Sequence, residues 1–281
     1  MNKQTTLVLG GTGKTGRRVA EKLQARGVKT RIASRSADLP FDWNDQSTWD
    51  AALEGVRAVY VSYAPDLAIP GAKDAIRAFV EKAVAQGVQR LVLLSGRGEE
   101  EAQDCERIIQ EAGVEWTVVR ASWFNQNFSE GEFLGMVLDG AIALPAADIA
   151  EPFIDVNDIA DVAVAALTEE GHAYEIYEVT GPRLMTFAEL AQEISSAAGR
   201  EVQFVQIPGE AFAAAIAESG APDDIAWLLN YLFETVLDGR NAYVCDGVQR
   251  ALGREPIDFA DYARRVATRG IWNTADDEVA A

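Results

Sequence analysis

Lysine is absent beyond Lys82, and the whole chain holds one histidine, His172, and two cysteines, Cys105 and Cys245. Two distant cysteines support neither a disulfide framework nor a cysteine zinc site, so a reducing cytoplasm is the expected compartment. A lone histidine makes a Ser-His-Asp triad, a histidine metal site and a histidine general acid poor readings. Basic residues are scarce as well: 25 Lys+Arg stand against 44 Asp+Glu in 281 residues, a formal net charge of −19. Affinity for nucleic acid or an anionic membrane rests on a basic face, so neither is an expected partner. No apolar run approaches the roughly 20 residues of a membrane span, and no apolar signal segment follows the first charges. What is present is ordinary for a globular protein, with 48% hydrophobic and 25% charged residues. The charge is uneven: residues 1–35 carry nine basic side chains and one acid, Glu21, while the other 246 residues carry −27.

Short β-branched runs alternate with helix-length amphipathic stretches from the start, the pattern of βαβ units and a parallel sheet. Thr5–Leu9 reads as a strand ending at Gly10 and Gly11, and Thr15–Ala25 as a helix burying Val19, Ala20 and Leu23 and stopping at Gly27. Val28, Thr30 and Ile32 alternate as a second strand, and a third is expected before Phe41. Ala58–Ser62 and Leu91–Leu94 are strands separated by a helix that turns Ala72, Ile76, Phe79, Val80, Ala83 and Val84 inward. A helix over Ala102–Ala112 and a strand over Val114–Val119 follow. Further on come a helix at Asp158–Leu167, a strand at Tyr174–Val179, a helix opened by the capping-box pair Thr186 and Glu189, a strand at Glu201–Ile207 and a long helix at Asp223–Leu237. His172 reads as part of a surface turn, and Thr274–Ala281 as an acidic disordered tail. The fold class is α/β: a Rossmann-type parallel sheet flanked by helices, over residues 1–122 and completed by about 153–181. A smaller C-terminal α+β lobe, residues 123–152 and 182–281, is expected to leave a ligand cleft beside it.

Gly10-Gly11-Thr12-Gly13-Lys14-Thr15-Gly16 lies between the first strand and the first helix, where backbone N–H groups and a helix N-terminus can receive a pyrophosphate. Its glycines at 10, 13 and 16 form a variant of the dinucleotide fingerprint. Gly13-Lys14-Thr15 also resembles the end of a P-loop, but that loop needs a glycine at position 8, which is valine. An NAD site places a carboxylate about 20 residues past the glycines to hold the ribose hydroxyl. Here the second strand ends in Ser34-Arg35-Ser36. Arg35 can stack on adenine and pair with a 2′-phosphate, and Lys14 adds a second cation, so the expected cofactor is NADP(H).

Several segments together resemble the NmrA-like group of atypical short-chain dehydrogenase/reductases. They are Gly10–Gly16, Phe41-Asp42-Trp43, Thr117–Arg120 leading to Phe124 and Asn127, Phe153–Ala160, and Val179-Thr180-Gly181-Pro182. Leu9–Arg18 with Phe41–Trp49 is most similar to the agroclavine and festuclavine dehydrogenase subgroup. The resemblance implies that Gly10, Thr12, Gly13, Lys14, Thr15 and Gly16 hold the pyrophosphate, Ser34 and Arg35 the adenosine phosphate, and Asp42 and Trp43 the adenine surroundings. It further places Ser62, Tyr63 and Ala64 beside the cofactor, Ser95 facing the nicotinamide, and Phe124 and Asn127 closing its pocket. Trp123, Tyr63 and Phe124 fit core packing equally well. Reductases of quinones or iminium ions belong to that group, as do cofactor-binding regulators.

The wider superfamily moves its substrate proton through Tyr-x-x-x-Lys, and this sequence has no tyrosine followed four residues later by lysine. Loss of a positioned proton donor costs a ketone reductase about 10²–10⁴ in rate. An iminium carbon is already activated, and a quinone or conjugated enone yields a stabilised anion, so these acceptors rank above simple ketones. Ser95 and Tyr63 remain the candidate catalytic side chains. Trp227, Tyr231, Phe233, Tyr243 and Trp272 are available in the C-terminal lobe for a flat substrate, and its acidity favours a cationic one. The reading is an NADPH-dependent, metal-free reductase of a small acceptor, a monomer or homodimer. The rival reading is a non-catalytic NADP(H) redox sensor that binds a protein partner.

Overall fold

In a computed structural model the residues described run from Thr5 to Thr274. The chain opens with β1 (Thr5–Leu9), α1 (Lys14–Ala25), β2 (Lys29–Ala33), α2 (Trp49–Leu53), β3 (Val56–Val61), α3 (Ala72–Ala85), β4 (Arg90–Gly96), α4 (Glu100–Gln110) and β5 (Glu115–Ala121). There follow α5 (Asn127–Glu130), α6 (Leu134–Leu138), β6 (Ala141–Leu144), β7 (Ala150–Glu151), α7 (Val156–Thr168) and β8 (Glu175–Val179). The last part holds β9 (Met185–Thr186), α8 (Phe187–Ala198), β10 (Gln203–Gln206), α9 (Gly209–Glu218), α10 (Asp223–Tyr231), α11 (Gly247–Leu252) and α12 (Phe259–Thr268). Two compact units share this chain. The first comprises 1–121, 156–179 and 246–254, and the second 122–155, 180–245 and 255–281.

The first unit is a Rossmann-type sheet of six parallel strands in the order β2-β1-β3-β4-β5-β8. Central strands buried on both faces read as continuous apolar runs, and β1 is buried along its whole length. Helices cover the faces with the stripes their spacing demands: Val19, Ala20 and Leu23 on α1, Ile76, Phe79, Val80 and Ala83 on α3, Cys105, Ile108 and Ile109 on α4. The chain leaves β1 toward β2 at one edge and then crosses to β3 on the other side of β1. Ligands of open α/β sheets bind outside the carboxyl ends of strands at such a reversal.

The expected third strand before Phe41 does not form. Ser34 makes only an isolated bridge to Pro40, which has no N–H to continue a ladder. Phe41 instead turns inward with Trp43, Trp49 and Phe79, whose ring centroids lie 5.0 to 6.1 Å apart. His172 is also not a surface residue. Its ring is buried, with Nδ1 2.8 Å from the Tyr177 hydroxyl, and its carbonyl accepts from Thr117. A turn can carry such a side chain inward when a strand partner offers a hydroxyl.

The second unit is built on an aromatic core of Phe128, Phe133, Phe153, Phe187, Phe259 and Trp272, whose indole donates to the Phe128 carbonyl at 2.8 Å. Here β6 pairs in parallel with β10, and β7 antiparallel with β9. The Thr186–Glu189 capping box forms, and α8 stops at Gly199 in the left-handed region. The long helix expected over Asp223–Leu237 is regular only to Tyr231. Leu232–Val236 widens into a π turn, closed by Leu237 N–H on the Leu232 carbonyl at 2.8 Å. The wider turn lets Phe233 and Val236 both face inward. Of the expected acidic tail, residues 275–281 lie outside those described. No described helix is long and apolar enough to cross a membrane.

Candidate functional site

The glycine loop sits at the carboxyl end of β1, and its geometry follows from what its residues lack. Gly13 N–H donates to the Gly10 carbonyl at 2.9 Å, closing a tight turn. Gly16 then brings α1 down onto that turn: a Cβ there would lie 2.3 Å from Gly10 O and 2.7 Å from Gly10 C. Only glycine allows this approach. The first N–H groups of any helix have no intrahelical acceptor. Gly13, at the N-cap of α1, offers no side-chain acceptor, and the first turn contains no acid. These donors and the helix dipole therefore present a site for an anion. The Tyr60 hydroxyl, on β3, is buried without a hydrogen-bond partner among the described residues, and burial pushes its ionisation far above the ordinary range.

Beside the loop, three hydroxyls meet at the end of β2. Thr12 Oγ1 donates to Ser34 Oγ at 3.0 Å and lies 3.4 Å from Ser36 Oγ. Arg35 stands exposed between the two serines. The structure thus gathers Thr12, Ser34 and Arg35, and adds Ser36 to them. Asp42 is spent on its own turn, accepting from Asn44 N at 2.9 Å. Trp43 is largely buried in the aromatic cluster, with its indole 3.3 Å from the Ser62 carbonyl and its ring 4.9 Å from that of Tyr63. Ser62 in turn lies against Gly10, where a Cβ would come 3.4 Å from its Oγ. Tyr63 packs on the core and Ala64 is exposed, so the loop after β3 borders the glycine turn.

Ser95 has a different environment from the one the resemblance implies. It is buried, and its hydroxyl donates to Glu106 Oε1 at 2.6 Å. Glu106 also accepts from Arg120 Nε at 2.9 Å and from a second Arg120 nitrogen at 2.5 Å. Arg120 reaches Glu178 at 3.5 Å, and Glu178 accepts from the buried Arg97 at 2.7 Å. These charges tie β4, β5, β8 and α4 together at the carboxyl edge, and they hold the Arg120 guanidinium protonated more firmly than usual. The Ser95 proton is committed inside this network. No sequence motif announces Glu106 or Glu178; a charged residue inside an apolar helix stripe is the one available signal, since Glu106 directly follows Cys105.

Phe124 and Asn127 belong to the second unit. Phe124 bridges in parallel to Ile154, and Asn127 N–H donates to the Phe124 carbonyl at 3.1 Å as α5 begins. Gln126 donates to Asp155 at 2.8 Å, and Asp155 also pairs with Arg265. Of the aromatics expected for a flat substrate, Phe233 and Trp272 are core, whereas Trp227 and Tyr243 are 39% and 50% exposed. Trp227 stacks on Tyr231 with centroids 5.1 Å apart and planes 7° from parallel. Among the described residues no group of three side chains could hold a metal ion.

A six-stranded parallel sheet with a glycine turn under a helix N-terminus that has no side-chain cap defines a dinucleotide-binding class of fold. More particularly, residues 2–263 match the NmrA-like family, and the chain belongs to it. It is 32% identical to an agroclavine dehydrogenase of Claviceps fusiformis, over 97% of this chain and all of the relative. An NAD(P)H azoreductase of Xenophilus azovorans is 31% identical over 92% of this chain and 96% of its own. The fold is shared with the NADPH-dependent quinone oxidoreductase QOR2 of Escherichia coli, solved with NADPH. That structure has a TM-score of 0.79 and 20% identity, covering 94% of this chain and 99% of the other.

Proposed function

We propose that the chain is an NADPH-dependent reductase that transfers hydride to a small activated acceptor, an iminium ion, quinone or conjugated enone, without a Tyr-x-x-x-Lys proton donor. The observation that carries the reading is the pairing of the Gly10–Gly16 turn with the hydroxyl and guanidinium group at Thr12, Ser34, Ser36 and Arg35. The turn fits a dinucleotide because Gly16 lets the start of α1 approach Gly10 closely and no acidic side chain occupies the first turn of α1. Relatives whose names describe clavine dehydrogenases and an azoreductase support the reaction class.

When bound, NADPH supplies the hydride. The N–H groups at the start of α1 bind the pyrophosphate, and Lys14 and Arg35 balance phosphate charge. Ser62 and Tyr63 orient the dinucleotide from the loop after β3. Phe124 and Asn127, which the resemblance assigns to the nicotinamide, lie in the second unit. Ser95 serves the site through Glu106, as a positioning residue that keeps the end of β4 in register. The sequence holds no Tyr-x-x-x-Lys pair and the Ser95 hydroxyl donates to Glu106, which favours acceptors whose reduced form is stabilised without a dedicated proton donor.

The test is consumption of NADPH, followed at about 340 nm, with a panel of quinones, cyclic iminium salts and enones. Turnover of at least one class is expected, with NADPH bound about tenfold or more tighter than NADH because of Arg35. Arg35→Ala should erase that preference, with the larger loss of affinity falling on NADPH. Equal affinity for both dinucleotides in the native chain refutes the assignment of Arg35. Tight NADPH binding with complete inactivity across the panel refutes the reductase and favours a redox sensor.

A further inference from the structure

The first unit sets a buried carboxyl group, Glu99, against a half-buried one, Asp66. Glu99 immediately precedes α4 in N-cap position, and its side chain does not cap the helix. It turns back over Gly96 instead. A Cβ on Gly96 would stand 2.2 Å from Glu99 Oε1 and 2.5 Å from Cδ, so the missing side chain creates the space. Glu99 is 6% exposed, and its Oε2 is enclosed and meets no donor. The Asp66 side chain makes a hydrogen bond with that of Glu99 and also accepts from Ala68 N at 2.8 Å. A hydrogen bond between two carboxyl groups needs a proton on one of them.

The surrounding charges supply no alternative. Lys73 of α3 pairs with Asp104, Arg97 with Glu178, and Arg120 with Glu106. From α4 the pair faces the acidic side chains of Glu101 and Glu106, and Cys105, whose thiol burial pushes up to about 12. Two carboxylates in contact, desolvated and without a cation, do not both ionise at neutral pH. Burial, foremost, raises both groups above the ordinary carboxylate range; the charge of Asp66 and of Glu101 raises Glu99 further, well above it.

We propose that Asp66 and Glu99 share one proton, and that this proton fixes the loop after β3 so that Ser62, Tyr63 and Ala64 stand beside the glycine turn. Asp66 lies on the same loop as Ser62, which touches Gly10 and receives the Trp43 indole at its carbonyl. Loss of the proton sets two like charges against each other at the β3 and β4 carboxyl ends, and the half-buried Asp66 is the partner free to move outward. The pair is therefore a pH-dependent positioning element for the dinucleotide. Its protonation does not depend on the cofactor reading of the previous section; its effect on affinity does.

The sign follows from linkage. Carboxyl groups raised in the folded state bind protons more tightly there than in the unfolded chain. Stability therefore falls as pH rises from about 4, the unfolded value, through the raised folded value. Dinucleotide affinity should fall in the same direction. The experiment uses the full chain, native and with Glu99→Gln or Asp66→Asn. It measures ligand-free melting temperature and NADPH affinity by fluorescence from about pH 5.5 to about 9.5. Glu99→Gln keeps a donor toward Asp66 at every pH, and Asp66→Asn keeps one toward Glu99, so each variant mimics the protonated pair. The native chain should lose stability with rising pH and about tenfold in affinity, the equivalent of one unit of linked pKa. Either variant should flatten both profiles. Superimposable native and variant stability profiles overturn the shared proton. Flattened stability with an unchanged affinity profile overturns the positioning of the loop. Absence of NADPH binding at every pH overturns the cofactor reading alone, because the melting series still decides the proton.

Discussion

Gly16→Ala puts the glycine-loop geometry to a direct test. The added Cβ meets Gly10 O at 2.3 Å, Gly10 C at 2.7 Å and the Gly11 Cα at 3.0 Å. All three are backbone atoms, so no side-chain rotation relieves the overlap. Restoring an ordinary contact requires the α1 N-terminus and the turn to separate by about 1 Å, and overpacking of this size costs about 1–3 kcal/mol. At about 2–4 °C per kcal/mol, melting of the ligand-free chain should drop by several degrees. The same displacement moves the helix N–H groups away from a bound phosphate. Losing two hydrogen bonds to a charged group, at about 1.5–3 kcal/mol each, weakens NADPH by about 10²-fold or more. Gly13→Ala is the internal control. Its Cβ meets a single atom, Gly10 O, at 3.2 Å, and its φ of −81° suits any residue. Its ligand-free melting temperature should match that of the native chain, whatever happens to NADPH affinity. Differential scanning calorimetry with fluorescence titration of NADPH separates the two variants. Equal melting of Gly16→Ala and the native chain would refute the close approach as described.

Two further outcomes concern the charges. Glu106→Ala leaves the Arg120 guanidinium facing only Glu178 and strands the Ser95 hydroxyl, and breaking a buried pair of this kind costs about 3 kcal/mol or more. Urea unfolding should show that loss, and a change under about 1 kcal/mol would place the network outside the stabilising core. Asp258 caps α12 and pairs with Arg183, whose guanidinium holds the carboxyl below the ordinary range. Its contribution is present above about pH 4 and lost as pH falls through the lower folded value, so Asp258→Asn should flatten part of the acid limb of the urea midpoint. An acid limb as steep as that of the native chain would count against the pair.

The alternation of strands and helices was legible because burial on two faces of a parallel sheet forces apolar runs, and amphipathic spacing marks the helices between them. The turn at Gly10–Gly16 was legible for a similarly local reason, since close approach excludes every other residue at Gly16. What could not be read depends on partners far apart in the chain. Ser95 looks like an exposed hydroxyl at a strand end until Glu106 arrives from the next helix and Arg120 from the next strand. His172 sits in a polar, turn-like string, and only the pairing of β8 with β5 brings Tyr177 under it. The third strand failed because Phe41 and Trp43 gain more from packing on Trp49 and Phe79 than an edge ladder interrupted at Pro40 could return. Asp66 and Glu99 are 33 positions apart and ordinary individually; their meaning comes from the adjacency of β3 and β4 and from the empty side of Gly96.

The charge asymmetry of the first 35 residues has a similarly divided origin. A segment of net +8 that contains the glycine turn invites the conclusion that its cations serve phosphates. The structure assigns several of them elsewhere. Lys22 pairs with Asp161 at 2.6 Å and Arg26 with Glu169 at 2.7 Å, joining α1 to α7 across the face of the sheet. Arg31 donates to the carbonyls of Ala51, Ala52 and Glu54 and so closes the C-terminal end of α2. Arg18 donates to the Lys14 carbonyl, one turn back along its own helix. Those partners are acids and carbonyls of the unit itself, and two of the nine cations, Lys22 and Arg26, are counterparts of acidic residues that α7 and its flank bring from 130 or more positions away. Arg35 differs from these in standing exposed at the end of β2, beside the Thr12, Ser34 and Ser36 hydroxyls. Net charge along a sequence therefore marks where α1 docks at least as much as where phosphate binds, and selectivity between the two dinucleotides should follow Arg35 and be indifferent to Lys22 or Arg26.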